Sequence, residues 1–259
     1  MLTREQIHKD LAALGIRPDD TVLMHTSMRA LGEVAGGCDG LIDAFCAYLT
    51  DGLYLIPTHT WANVDKENPV YDVRTTMPCI GALPCVAAFR ADGVRSLHPT
   101  HSITAFGRGA ADFVAGEEKA TSPCTPGGCW ARLPEVGAKI LLVGVGLNRN
   151  TFIHAIDEML DLPDRLEQPI PLTVIDHEGK AHALSFCKHG STGSENFGVY
   201  REALEACGVL TYGRLGEADV ICCDAAKCTA VIKHLWQMAD YDLCKEPRKI
   251  PRAYYEALL

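Results

Sequence analysis

Five histidines fall where predicted strands meet loops or helices. His25 and His59 close the first two predicted strands, and His98 and His101 precede the third. His154 lies one turn into a helix that follows the glycine loop Gly144-Val145-Gly146. Imidazole titrates nearest neutrality, so such a set suits a general base or a metal site. His154 stands out because Asp157 and Glu158, three and four residues on, share its helical face. A carboxylate there would orient the ring and raise its basicity, or bind a cationic substrate directly. The plainer readings stand beside these: a half-buried, hydrogen-bonded histidine and a solvated helix face. Ligands of open α/β sheets bind outside the carboxyl ends of the strands, so His25, His59 and His154 are expected to share one cleft.

Other chemistries are absent from the pattern. There is no Gly-x4-Gly-Lys-Ser/Thr phosphate loop, no Gly-x-Ser-x-Gly nucleophile elbow and no His-Glu-x-x-His. Gly144-Val145-Gly146 begins a dinucleotide pattern, but Arg149 stands where the third glycine belongs. Twelve cysteines include no Cys-x-x-Cys pair, the usual half of a structural zinc site. Cys46, Cys85, Cys207, Cys222 and Cys223 sit in apolar context and read as buried reduced thiols; Cys124, Cys129 and Cys187 lie among Gly, Pro and His, nearer a site.

The elements that must position these residues follow from periodicity. Residues 3–15 form an amphipathic helix capped by Thr3, with Ile7, Leu11 and Leu14 on one face. Strands are expected at 21–25, 53–57, 102–106, 139–145 and 218–223, and helices at 39–48, 83–91, from Thr151, at 197–207 and at 224–238 with Asp224 as cap. Thr26-Ser27-Met28-Arg29, residues 62–78 and Cys187 to Asn196 read as loops. Pro169 to Phe186 alternates apolar and polar around a His177-Glu178-Gly179-Lys180 turn, a hairpin signature. The expected class is α/β, a mixed central sheet flanked by helices with a late β-hairpin, in one domain spanning 1–259.

The 259 residues carry 24 Lys plus Arg against 33 Asp plus Glu, a formal charge of -9, which argues against a nucleic-acid partner. No apolar run reaches the ~18 residues a membrane helix needs. Met1-Leu2-Thr3-Arg4-Glu5-Gln6 shows no basic-then-apolar signal pattern, so a cytoplasmic protein is expected.

Six motifs in order carry a resemblance over nearly the whole chain. They are Leu14 to Thr21 with His25 to Gly32; Pro57-Thr58-His59-Thr60-Trp61; Tyr71-Asp72 with Gly81-Ala82-Leu83-Pro84; His98-Pro99 with Ser102 to Gly107; Ser122-Pro123; and Gly144-Val145-Gly146 with Asn150 to His154. In these the sequence resembles the aminoglycoside 3-N-acetyltransferases. The resemblance implies acetyl-CoA as cosubstrate, an amine as acceptor, and transfer to the 3-amine of a 2-deoxystreptamine ring, with no metal. It implies His154 as general base, with Asp157 where the family usually carries glutamate, an arm shorter by one methylene. His25, Thr26, Ser27, Met28 and Arg29, with Ser102, Ile103 and Thr104, match segments that hold CoA. Asp72 matches an acid that receives an ammonium group, with His59, Trp61 and Glu158 on the acceptor side. His189 and Ser191 are expected to line the site, with Ser191 or Ser194 orienting His154.

Two other readings stand beside this one. One is a metal-dependent hydrolase with His25, His59, His98 and His154 as ligands; the other is a non-catalytic CoA-binding protein. The sequence leaves the acceptor and the oligomeric state open.

Overall fold

Alternation of apolar and polar residues and a few caps set the local structure. In the computed structural model, which describes residues 1–190 and 193–259, Thr3 caps α1 (Arg4–Ala13) by accepting from the Gln6 amide. β1 (Thr21–Thr26), the short α2 (Met28–Leu31), α3 (Gly37–Tyr48) and β2 (Leu53–Pro57) follow. Next come β3 (Val70–Asp72), α4 (Ala82–Ala87), β4 (Val94–Arg95), β5 (Ile103–Gly107), α5 (Ala110–Val114), α6 (Cys129–Arg132) and β6 (Lys139–Val143). The chain continues through α7 (Phe152–Met159), β7 (Ile170–Ile175), β8 (Ala181–Phe186), α8 (Arg201–Ala206), β9 (Leu210–Leu215), β10 (Ala218–Asp224) and α9 (Ala225–Met238).

The result is an α/β fold with a mixed seven-stranded sheet ordered β4-β5-β2-β1-β6-β10-β9. β1 runs parallel to β2 and β6 on either side; the outer pairings are antiparallel. Successive side chains point to opposite faces. Leu23, Leu55, Ile140 and Leu142 pack under the layer containing α5 to α9; Val22, Met24, Ile56, Leu141 and Val143 pack under α1 to α4. The expected hairpin over 169–186 is present as β7–β8, but it joins β3 in a separate three-stranded sheet. A second hairpin, β9–β10, closes the main sheet.

Several expectations needed correction. Thr26 to Arg29 is not all loop: Ser27 caps α2 by accepting from the Ala30 amide. The stretch 62–78 contains β3, whose three residues find their partner a hundred residues away in β7. The helix expected over 83–91 ends at Ala87.

β1 is where the strand order reverses, with the next strands of the chain's parallel set on its two sides. A crevice opens at such a point outside the carboxyl ends. Gly144 sets the turn that leads from β6 into the loop along its wall: it takes φ +64, and a Cβ there would meet the Ala30 Cβ at 2.2 Å. Only glycine turns the chain off β6 this close to α2.

Candidate functional site

The crevice is a cavity of about 790 Å³. Its walls come from the ends of β1 (His25, Thr26) and β2 (His59, Trp61), the loop 145–151, α7 (His154) and the loop after β8 (Lys188, His189). His25, His59 and His154 therefore share one cleft.

Their environment is dry, so burial disfavours the charged imidazole. Burial pushes His25 down to about 3 and holds His59 and His154 well below the usual histidine range. For His154, neighbouring His189, His59 and Arg165 add to that. The His154 ring sits 4.4 Å from that of His189 and 4.8 Å from that of Phe197. Its Nδ1 has no hydrogen-bond partner among the described residues and lies 3.9 Å from Asp157 Oδ2. Asp157 is itself buried, 3.5 Å from Arg165 Nε. Burial raises its carboxyl to about 7 against the opposing pull of Arg165.

Glu158, expected on the acceptor side, lies outside the cavity lining. Its Oε2 accepts from the Ser122 hydroxyl, and its Oε1 accepts from the Cys124 amide at 2.9 Å and lies 3.1 Å from His189 Nε2. Helical spacing put Asp157 and Glu158 on one face; packing sends one toward Arg165 and the other behind His189.

Several expected cofactor residues lie away from the cavity. Ser102 and Thr104 are buried where β5 meets the end of β2. Ser102 Oγ donates to the Thr58 carbonyl at 2.7 Å, and Thr104 Oγ1 donates to Thr58 Oγ1 at 3.4 Å. Ile103 is core. These three brace the Pro57–Thr60 segment from behind. Ser27 is committed to its cap, Met28 packs on the α1–α4 side of the sheet, and Arg29 is exposed on α2. Asp72 lies on the smaller sheet, its carboxylate gripped by Arg74 through bonds of 3.0 and 2.8 Å, outside the cavity lining. Ser191 lies outside the described residues; Ser194 lines the cavity.

The fold brings two further residues into the site: His101, one of the five histidines where predicted strands meet loops or helices, and Asn150. His101 is buried, its ring 4.6 Å from that of His59, and it lines the cavity. Asn150 is buried in the wall with both side-chain amide atoms unpartnered among the described residues; so are His25 Nε2, His59 Nε2 and the Thr26 hydroxyl. Buried polar atoms without partners are rare, and here the residues that carry them line the cavity. Asn150 sat in the Asn-Thr-Phe-Ile-His run, which was the available signal; its burial was not.

The donor set of the hydrolase reading does not assemble. His98 Nδ1 accepts from the amides of Thr100 and His101, which leaves Nε2 to donate to the Ser122 carbonyl at 3.0 Å. Both its nitrogens are used in holding the loop. No helix among the described residues is long and apolar enough to cross a membrane.

Comparison with known proteins gives the family and the fold. The sequence model described as aminoglycoside 3-N-acetyltransferase matches residues 23–237. The chain belongs to that family. It is 30% identical to aminoglycoside N(3)-acetyltransferase IX of Micromonospora chalcea over 86% of this chain and 89% of that one. The crystal structure of aminoglycoside acetyltransferase AAC(3)-Xa superposes with a TM-score of 0.77 at 27% identity, covering 89% of this chain and 90% of the other. A complex of AAC-IIIb with CoASH shares the fold, with a TM-score of 0.77 at 23% identity over 93% and 98% of the two chains.

Proposed function

We propose that the protein, acting as one domain over 1–259, transfers the acetyl group of acetyl-CoA to an amine held in this cavity. Family membership favours as acceptor the 3-amine of a 2-deoxystreptamine aminoglycoside. One observation carries the mechanism: His154 lines the cavity as an imidazole that burial keeps neutral, beside Asp157. An ammonium cannot attack a thioester, so a base must first take its proton. His154 removes it, and the amine nitrogen bonds to the thioester carbon. His154 passes that first proton to solvent and then takes the second proton from the attached nitrogen. The tetrahedral oxyanion collapses with loss of the CoA thiolate, which accepts this second proton and leaves as the thiol. The imidazolium formed in between is supported by Asp157. Asn150 and Thr26 line the cavity and carry donors with no partner, which a side-chain turn toward the ligand would bring to the oxygen's developing charge. His25 and His59 also line the cavity, each with one unpartnered ring nitrogen. A cytoplasmic location goes with this reading, since acetyl-CoA is available there.

A second reading keeps the chemistry and changes the acceptor. Glu167 is the one carboxylate among the described residues of the lining, while Arg149 and Lys188 are cations in it. A polycation carrying several ammonium groups is poorly matched by that balance; an amine of lower charge fits it.

Acetylation of a panel of aminoglycosides and simple amines, with product NMR, separates these. Product acetylated at the 3-amine supports the first reading, and turnover of simple amines alone supports the second. Acetyl-CoA should also raise Tm, because it binds only the native state. No Tm shift and no calorimetric binding at millimolar acetyl-CoA would remove both.

A further inference from the structure

Behind the cavity wall, three donor groups of different chemistry converge from separate parts of the chain. The Cys124 thiol comes from the loop before α6, the Glu158 carboxylate from α7, and the His189 imidazole from the loop after β8. A ligand atom of each lies within 4.8 Å of the others. Two of the three are held in place. Glu158 accepts from the Ser122 hydroxyl and from the Cys124 amide. The His189 loop is pinned by its bridge to Leu166 and by the Gly190 amide donating to the Arg165 carbonyl at 3.0 Å. Such outer contacts are what orient ligands in built metal sites. The buried Cys124 thiol donates no hydrogen bond among the described residues, so nothing competes for its sulfur.

We propose that Cys124, Glu158 and His189 form a site for a thiophilic divalent cation of the zinc type, and that filling it switches off the neighbouring transfer site. One sulfur, one nitrogen and one oxygen donor suit zinc; magnesium and calcium would take oxygen alone. Zinc bonds of about 2.0–2.3 Å require the donors to draw together by roughly 1 Å, a side-chain adjustment. On binding, the aquo cation sheds water, the thiol releases its proton to solvent, and His189 coordinates through Nε2 with its own proton on Nδ1. Thiolate and carboxylate together cancel the ion's two charges, so no net charge is left buried.

The consequence for catalysis follows from position. The ion replaces the contact between His189 and Glu158 and pulls on the ring packed 4.4 Å from His154. His189 lines the cavity, so its displacement reshapes the wall beside the base. This inhibitory half rests on the acetyl-transfer reading; the binding half does not.

The test uses the chelator-treated full chain. Zn2+ binding is followed by calorimetry and Co2+ binding by the near-ultraviolet sulfur-to-cobalt charge-transfer band. The expected result is about one ion per chain, with the cobalt band present. Cys124→Ser should abolish the band, and Cys124→Ser and His189→Gln should each weaken affinity at least about tenfold. Acetylated amine is counted as product, because free CoA thiol itself binds zinc. Zinc should lower the wild-type rate at least about tenfold and leave Cys124→Ser at its own metal-free rate. No saturable uptake, or undiminished affinity in Cys124→Ser, would overturn the site. Binding with an unchanged rate would overturn the switch. If the metal-free enzyme acetylates no amine, the acetyl-transfer reading fails, and the cobalt spectra of the wild type and Cys124→Ser still decide the site.

Discussion

Replacing His154 by alanine tests the central step. A positioned general base contributes about 10²–10⁴-fold, or about 2.7–5.4 kcal/mol of barrier at 1.36 kcal/mol per decade. His154→Ala should therefore lower kcat by that factor. The structure predicts a small effect on the fold. The ring's Nδ1 has no partner to orphan, and the ring lines the cavity beside those of His189 and Phe197. A cost of about 1 kcal/mol would lower Tm by roughly 2–4 °C in a chain of this size. Acetyl-CoA affinity, read by calorimetry, should hardly change, because the imidazole acts on the amine. Activity of the variant should rise with pH, about tenfold per unit below the amine's pKa, as more acceptor is already deprotonated. Steady-state kinetics with a Tm control gives the answer. A folded His154→Ala protein that keeps more than about a third of wild-type kcat at neutral pH would refute the assignment, and His189 would be the next base to remove.

Three further outcomes follow from where the side chains point. Asp72→Asn should leave the acceptor KM unchanged within about twofold, because Arg74 holds that carboxylate outside the cavity; a large rise in KM would return Asp72 to the acceptor site. Ser102→Ala should cost about 1–2 kcal/mol in denaturant unfolding, through the lost bond to the Thr58 carbonyl, while acetyl-CoA affinity stays unchanged. Asp20 is buried, and although burial opposes it, Lys139 at 2.6 Å and the Arg17 amide at 2.7 Å hold its carboxyl below the usual range. A depressed folded pKa means stability that is complete above the unfolded value of about 3.9 and is lost as pH falls through the folded one. The Tm gap between wild type and Asp20→Asn should accordingly be constant from pH 7 to about 5 and shrink below about pH 4; a gap that closes near neutrality would contradict the pairing.

What could be read without the fold, and what could not, divides along physical lines. Strands such as Leu53–Pro57 and helices such as α9 are specified locally, by runs of apolar residues and by caps such as Asp224, which accepts from the Lys227 amide. β3 and β9 were missed for the same reason. Their stability comes from partners: β3 from β7, a hundred residues on, and β9 from the hairpin with β10, with its middle residues largely exposed and polar. The cleft could be foreseen because it needs only the carboxyl ends of adjacent parallel strands, and His25 and His59 sit at those ends. Orientation could not. Asp157 and Glu158 are neighbours with equal claims on His154, and nothing in their spacing separates them. Arg165, from the loop beyond α7, draws Asp157 inward, and Ser122 and the Cys124 amide draw Glu158 toward His189. Ser102 and Thr104 carry the same lesson in reverse: hydroxyls in a motif that matches a CoA-binding segment here support the segment that lines the cavity. A motif fixes which backbone comes near the site. Which side chains enter it is decided by the partners that packing supplies, and Asn150, Thr26, His25, His59 and His154 are cavity-lining residues with polar atoms that packing leaves without partners.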